Sequence, residues 1–270
     1  MALQATPLVH SGTDACLAAG AASPDSVWDR PGGTTQGFRV SGMADGGTRS
    51  PLELLDVMGI VEAEAGPELR HLEVYCPDGL LTLLWHGPAD ATDVVVTLGG
   101  AIGGLLGPAR ALYLRLGENL AADGIAVIRV HYRRPGIIER SLLDAAAAAD
   151  LAAREQARRF IFMGHSFGGA VAVQAGIALG EHTAGVVGLA TQSAGCENAA
   201  ALGGTPLLLM HGGMDQILPV HASEAVRALA GGGELIVYPE ADHGLASVAD
   251  EIAATLADWI PARFAEHANQ

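Results

Sequence analysis

From residue 71 onward, short wholly apolar runs alternate with longer stretches whose apolar residues recur at helical spacing. Runs at 71–76 and 80–86 flank the turn triplet Pro77-Asp78-Gly79 and predict a β-hairpin. Strands are then expected at 94–98, 125–131, 160–164, 186–190, 206–210 and 235–238, with helices at 109–122, 140–154, 169–179, 220–229 and 245–260. Strands that are apolar on both faces must be covered on both, so the pattern predicts an α/β fold. Its mostly parallel sheet has eight strands, an N-terminal antiparallel hairpin and helices on both sides. No internal repeat runs through the alternation, and the run Ala145 to Ala149 reads as a helix interior.

Residues 1–68 break this pattern. The stretch 20–50 is rich in Gly, Thr, Ser, Pro and Asp, shows neither periodicity, and is expected to be irregular. One short helix is expected just after it, at 51–58, because Ser50 stands at an N-cap with Glu53 at the capping-box position. The chain therefore divides into an N-terminal extension, 1–68, and a domain spanning 69–270, large enough for one substantial core. The extension could drape over a site or trail as a tail, and its polar composition favours the tail.

Charge and composition remove several functions. The chain has 15 basic and 30 acidic residues, a net charge of −15, and every basic residue is Arg. Nucleic-acid binding needs a basic face that nothing here supplies. A P-loop, a pyridoxal enzyme or a Schiff-base aldolase each needs a lysine, and there is none. Cys16, Cys76 and Cys196 lie far apart without metal or disulfide spacing and read as reduced thiols. The first residues lack a basic leader pattern, and no apolar run reaches membrane-spanning length, so a soluble, cytoplasmic protein without a membrane partner is expected.

The strongest chemical signal is Gly164-His165-Ser166-Phe167-Gly168-Gly169, placed between an expected strand and an expected helix. A nucleophile on so sharp a turn needs very small residues two positions before and two after it, and Gly164 and Gly168 occupy those places. A serine hydroxyl also needs a histidine base and a carboxylate that orients it. Met210-His211-Gly212-Gly213-Met214-Asp215 follows one strand, and Tyr238-Pro239-Glu240-Ala241-Asp242-His243 follows the last. Parallel strands bring their carboxyl ends to one edge, so Ser166, Asp215 and His243 can converge there. Asp242 competes with Asp215 for the carboxylate role, but an adjacent residue rarely reaches the ring nitrogen facing away from the serine. His211 and His221 lie near Asp215 without carboxylates at ligand spacing, so no metal site is expected. His165 is expected to point away from the reacting centre, and Arg133 and Arg134 to hold loops through salt bridges.

On these motifs the chain resembles the α/β-hydrolase family, in particular its dienelactone-hydrolase-like and carboxylesterase-like members, over about residues 70–265. The resemblance implies Ser166 as nucleophile, His243 as general base and acid, and Asp215 as orienting acid. Dienelactone hydrolases carry Cys as nucleophile, whereas Ser166 here implies ordinary esters. An oxyanion hole is expected from the backbone N–H of Phe167 and from the glycine loop after residue 98, at Gly100 with Ala101 as the one-residue alternative. The same glycine loop has a competing reading as a phosphate cradle, although the full dinucleotide pattern is absent.

Only residues 191–205 separate two of the expected strands where such folds insert a lid, so no large lid domain is expected. An open site without a lid favours short to medium acyl chains. The expected activity is hydrolysis of a small-molecule carboxylic ester without a cofactor. Thioesterase, acyltransferase and peptidase chemistry on the same residues, and a non-catalytic binding role, are the alternatives. The oligomeric state leaves no mark in the sequence.

Overall fold

The computed structural model describes residues 6–8 and 49–269. Cys16 and the expected irregular stretch, apart from Arg49 and Ser50, lie outside these residues. The short helix α1 (Pro51–Leu54) carries the expected capping box: the Ser50 hydroxyl accepts from Glu53 N at 3.4 Å, and the Glu53 carboxylate accepts from Ser50 N at 2.7 Å.

The strands are β1 (Thr6–Leu8), β2 (Gly59–Gly66), β3 (Leu69–Cys76), β4 (Gly79–His86), β5 (Asp93–Leu98), β6 (Ala126–His131), β7 (Arg159–His165), β8 (Thr183–Leu189), β9 (Leu207–Gly212) and β10 (Glu234–Tyr238). They form one sheet in the order β1-β2-β3-β4-β6-β5-β7-β8-β9-β10. Pairing is antiparallel from β1 through the β4–β6 contact and parallel from β6 to β10. The sheet thus has two strands more than the eight expected, both on the antiparallel edge, and it begins inside the 1–68 stretch. No residue of β2 is fully buried, so Ile60-Val61-Glu62-Ala63-Glu64-Ala65 shows little of the apolar contrast that marks the inner strands.

Helices α3 (Ile138–Arg154), α4 (Phe167–Leu179) and α5 (His221–Leu229) cover one face, and α2 (Pro108–Ala121) and α6 (Ala249–Ala268) cover the other. Alternate residues of β7 feed the two cores: Phe160 and Phe162 enter the first, Ile161 and Met163 the second. Ala145 to Ala149 are buried in α3, and their small side chains let the helix lie close to the sheet. The β8-to-β9 connection carries only a 3-10 turn, Ala199–Leu202, so no lid domain is inserted there.

The chain leaves β5 for β6 on one side and returns to β7 on the other. This reversal opens a crevice at the carboxyl ends of the strands, beside β5 and β7.

Candidate active site

Ser166 lies between β7 and α4 with φ 57° and ψ −117°, in the left-handed region that costs a non-glycine residue about 1–3 kcal/mol. The surrounding backbone holds it there. Ser166 N donates to Leu189 O at 2.9 Å, and Ser166 O accepts from Gly169 N at 3.0 Å and Gln192 N at 3.3 Å. A Cβ on Gly164 would overlap the Gly168 carbonyl, and one on Gly168 would overlap the carbonyls of Leu98 and Gly99. Both glycines are therefore required by close approach. Phe167 opens α4, so its N–H has no helical carbonyl four residues back.

The loop after β5 is pinned by two buried phenols. Tyr113 Oη donates to Leu98 O at 3.0 Å, and Tyr132 Oη donates to Gly99 O at 3.2 Å. Burial pushes both hydroxyls up, which keeps them protonated as donors. Because the peptide is trans, fixing the Gly99 carbonyl turns the Gly100 N–H to the opposite side. Gly103 N closes the loop by donating to Gly100 O at 2.8 Å. A Cβ on Gly100 would lie 4.0 Å from Ser166 Cβ, so the loop borders the serine.

Asp215 follows β9, and its side chain is fully buried. Its Oδ1 accepts from Ile217 N at 2.8 Å and Leu218 N at 2.9 Å, and its Oδ2 accepts from His243 Nδ1 at 2.6 Å. Burial pushes the Asp215 carboxyl up, but the Leu218 N–H, the His243 ring and the Ile217 N–H together hold it below its ordinary value. It is a carboxylate at neutral pH. Asp242 instead turns its Oδ1 to its own loop, accepting from Gly244 N at 3.0 Å and Leu245 N at 3.1 Å. With Nδ1 engaged by Asp215, the ring nitrogen left to His243 is Nε2.

Two histidines join the site beyond the expected residues. His165 does not point away from it: its Nε2 donates to the His243 carbonyl at 2.9 Å, and the two rings lie 4.7 Å apart. The alternation of β7 explains this, since His165 shares the face of Ile161 and Met163, over which the His243 loop passes into α6. Burial pushes the His165 imidazole down to about 4, so it is neutral at physiological pH. His211, fully buried on β9, lies beside Asp215. Its position four residues before Asp215 was the available sequence signal. Arg133 and Arg134 hold loops as expected: Arg133 Nε binds buried Asp144 at 2.5 Å, and Arg134 Nε binds Asp78 at 3.0 Å. Among the described residues no cluster of His, Cys, Asp or Glu could hold a metal ion.

A cleft of about 400 Å³ is lined by Gln192, Ser193, Ala194, Leu218, Pro219, His221 and Ala222, and Ser166, Asp215 and His243 are not among its lining residues. Around the same edge of the sheet, Ile102, Leu106, Ile137, Met214 and Ile217 are exposed on loops. Cys76 and Cys196 are free and buried, and burial pushes the Cys196 thiol up to about 12. Neither is a nucleophile at neutral pH. Among the described residues no helix is long and apolar enough to cross a membrane.

Residues 140–247 match the phospholipase/carboxylesterase family model. No curated protein matches the chain. Among solved structures it is similar to Est1E from Butyrivibrio proteoclasticus, with a TM-score of 0.61, 15% identity and coverage of 72% of this chain and 99% of that one. A dienelactone hydrolase from Anabaena variabilis superposes with a TM-score of 0.60 at 18% identity, over 72% of this chain and 97% of that one. Mouse alpha/beta hydrolase domain-containing protein 10 gives a TM-score of 0.58 at 18% identity, over 72% of this chain and 99% of that one. With this strand order and the sharp turn at Ser166, the chain has the α/β-hydrolase fold of these structures, and its residues 140–247 are similar to the phospholipase/carboxylesterase family.

Proposed function

We propose that the protein hydrolyses carboxylic esters of short to medium acyl chains through an acyl-enzyme on Ser166, His243 and Asp215. The observation that carries this reading is the 2.6 Å contact between His243 Nδ1 and a buried, ionised Asp215, on a loop tied by the His165 ring to the turn that holds the serine at φ 57°. His243 Nε2 takes the proton of Ser166 Oγ as the oxygen attacks the ester carbonyl carbon. The carbonyl π electrons move onto oxygen, where the N–H groups of Phe167 and Gly100 meet the developing charge. The His243 imidazolium then gives its proton to the departing alkoxide. Water gives a proton to the same imidazole and attacks the acyl carbon; the C–Oγ bond then breaks, Ser166 Oγ takes that proton back from His243, and the acid is released. No cofactor enters these steps.

The short β8-to-β9 connection, which inserts no lid, supports a compact acyl or alcohol group, and the exposed apolar side chains around the edge support an apolar one. A solved structure of Est1E holds ferulic acid. The reading includes action in the cytoplasm, with which the free thiols of Cys76 and Cys196 agree. In this reading, residues 69–270 form the catalytic domain and residues 1–68 an extension.

The test is intact-mass and peptide mapping after treatment with an alkyl organophosphonate. One adduct on Ser166, lost in Ser166→Ala, is expected, together with turnover of p-nitrophenyl acetate or butyrate. A folded protein that is neither labelled nor active on these esters overturns the reading. Faster turnover of acyl-thioesters or peptides than of oxyesters would move the substrate class.

A further inference from the structure

We infer that His211 is a positioning residue that holds the Asp215 loop and limits how strongly Asp215 attracts a proton onto His243. The inference rests on the reading of Asp215 and His243 as acid and base. His211 is 0% exposed at the end of β9, and three contacts fix its ring. Its Nδ1 lies 2.7 Å from Ser223 Oγ on α5, and its Nε2 lies 2.9 Å from Leu218 O and 3.2 Å from Asp215 Oδ2. A carbonyl can only accept, so Nε2 carries a proton and donates it to Leu218 O, with Asp215 Oδ2 3.2 Å from the same nitrogen.

Leu218 is used twice. Its carbonyl receives the His211 N–H, and its own N–H donates to Asp215 Oδ1 at 2.9 Å. The chain of contacts therefore runs from Ser223 through His211 and Leu218 to Asp215, and from there to His243.

The geometry has an electrostatic consequence. Asp215 Oδ2 faces two imidazole nitrogens, that of His243 at 2.6 Å and that of His211 at 3.2 Å. The partial positive charge of the His211 N–H, whose nitrogen lies 3.2 Å from the oxygen that His243 uses, offsets part of the charge on that oxygen, so the carboxylate stabilises the imidazolium less. A general base held too firmly in its protonated form is idle in the free enzyme, and His211 works against that. The other titratable group facing His243 is His165, from the serine turn, which burial keeps neutral and which touches the His243 ring and carbonyl rather than Asp215. Asp242, on the same loop as His243, is turned to the N–H groups of Gly244 and Leu245.

The experiment compares kcat/KM against pH for the full chain, His211→Phe, His211→Gln and Ser223→Ala on p-nitrophenyl butyrate. A parallel NMR titration follows the His243 ring. Phe removes the donor while keeping a flat ring, and Gln restores an N–H near the position of Nε2. In His211→Phe the acid limb of the profile should move to higher pH by about 0.5–1 unit, and the NMR midpoint should move with it. His211→Gln should restore most of that shift, and Ser223→Ala should move it less than Phe and in the same direction.

A purely structural role predicts lower melting temperatures with the acid limb unmoved. That result, or a Gln variant displaced as far as the Phe variant, overturns the inference. If His211→Phe does not fold, the Gln and Ser223→Ala comparison carries the same decision, a limb unmoved in Ser223→Ala counting against it. Absence of esterase activity in the unaltered protein would instead sink the functional reading, and the NMR titration would still decide the contact between His211 and Asp215.

Discussion

The turn that carries Ser166 and the loops that carry Asp215 and His243 are built by different means. Ser166 is placed by sterics within one continuous stretch: β7 ends, two glycines permit backbone to meet backbone, and α4 begins. Asp215 and His243 are placed by hydrogen bonds between loops far apart in the sequence, and the histidines His165 and His211 brace them. Ser166 is therefore sensitive to a single methyl group on its neighbours, whereas His243 is sensitive to the loss of a donor or an acceptor. That contrast can be broken at either end.

Ser166→Ala should have the largest effect, lowering kcat by about 10⁴-fold or more with the melting temperature little changed, because it removes the attacking oxygen and no packing. Unaltered esterase rates in this variant would place the nucleophile elsewhere. Asp215→Asn, on the hydrogen-bonded side, should cost about 10³–10⁴-fold in kcat, since an amide no longer selects the Nδ1–H tautomer of His243. Circular dichroism should show the fold intact, and a loss below about tenfold would count against Asp215 as the orienting acid.

Gly164→Ala attacks the steric side. The added methyl overlaps the Gly168 carbonyl, and the expected cost is about 3–5 kcal/mol of stability, read as a lowered urea midpoint with activity lost alongside it. A variant as stable as the parent would show that the turn can open.

A smaller effect probes the brace behind His243. Burial holds the His165 imidazole at about 4, against 6.5 in the unfolded chain. Above 6.5 this contribution to stability is complete; between the two values the unfolded chain alone takes up the proton, and stability falls as pH drops through about 4. The group should account for about 2–3 kcal/mol of acid-side loss, absent in His165→Gln, as measured by urea unfolding at pH 7, 5.5 and 4.5. Equal pH dependence in both proteins would contradict the assigned burial effect. The smallest change is expected for Tyr132→Phe, which frees the Gly99 carbonyl and loosens the Gly100 peptide. A fall in kcat of about 3–10-fold with KM nearly constant is expected. A change in KM alone would place Tyr132 in substrate binding.

Much of this was legible along the chain. Apolar runs of β5 to β9 marked the parallel sheet because those strands are covered on both faces, and the capping box at Ser50 marked α1 because its bonds are local. Strand β2 escaped because a strand with no fully buried residue needs no strict alternation. Helix α2 was expected, but its first turn was not regular: Ala109, Arg110 and Ala111 have φ of 51°, 56° and 60°, while Ala109 N donates to Gly244 O at 2.8 Å in the loop after His243. Propensity alone cannot foresee a turn bent to meet a partner 135 residues away.

The sequence by itself determined the alternation of strands and helices, the glycine spacing that permits Ser166 its backbone angles, and the order of Ser166, Asp215 and His243. All three follow from short-range sterics and periodic burial, which neighbouring residues decide. Only the tertiary structure decided that Asp215 rather than Asp242 meets the His243 ring, that His165 turns inward, and that His211 reaches Leu218 and Asp215. Those outcomes depend on which hydrogen-bonding groups are left facing one another once the sheet and both helical layers have excluded water, and no local pattern in the chain carries that information.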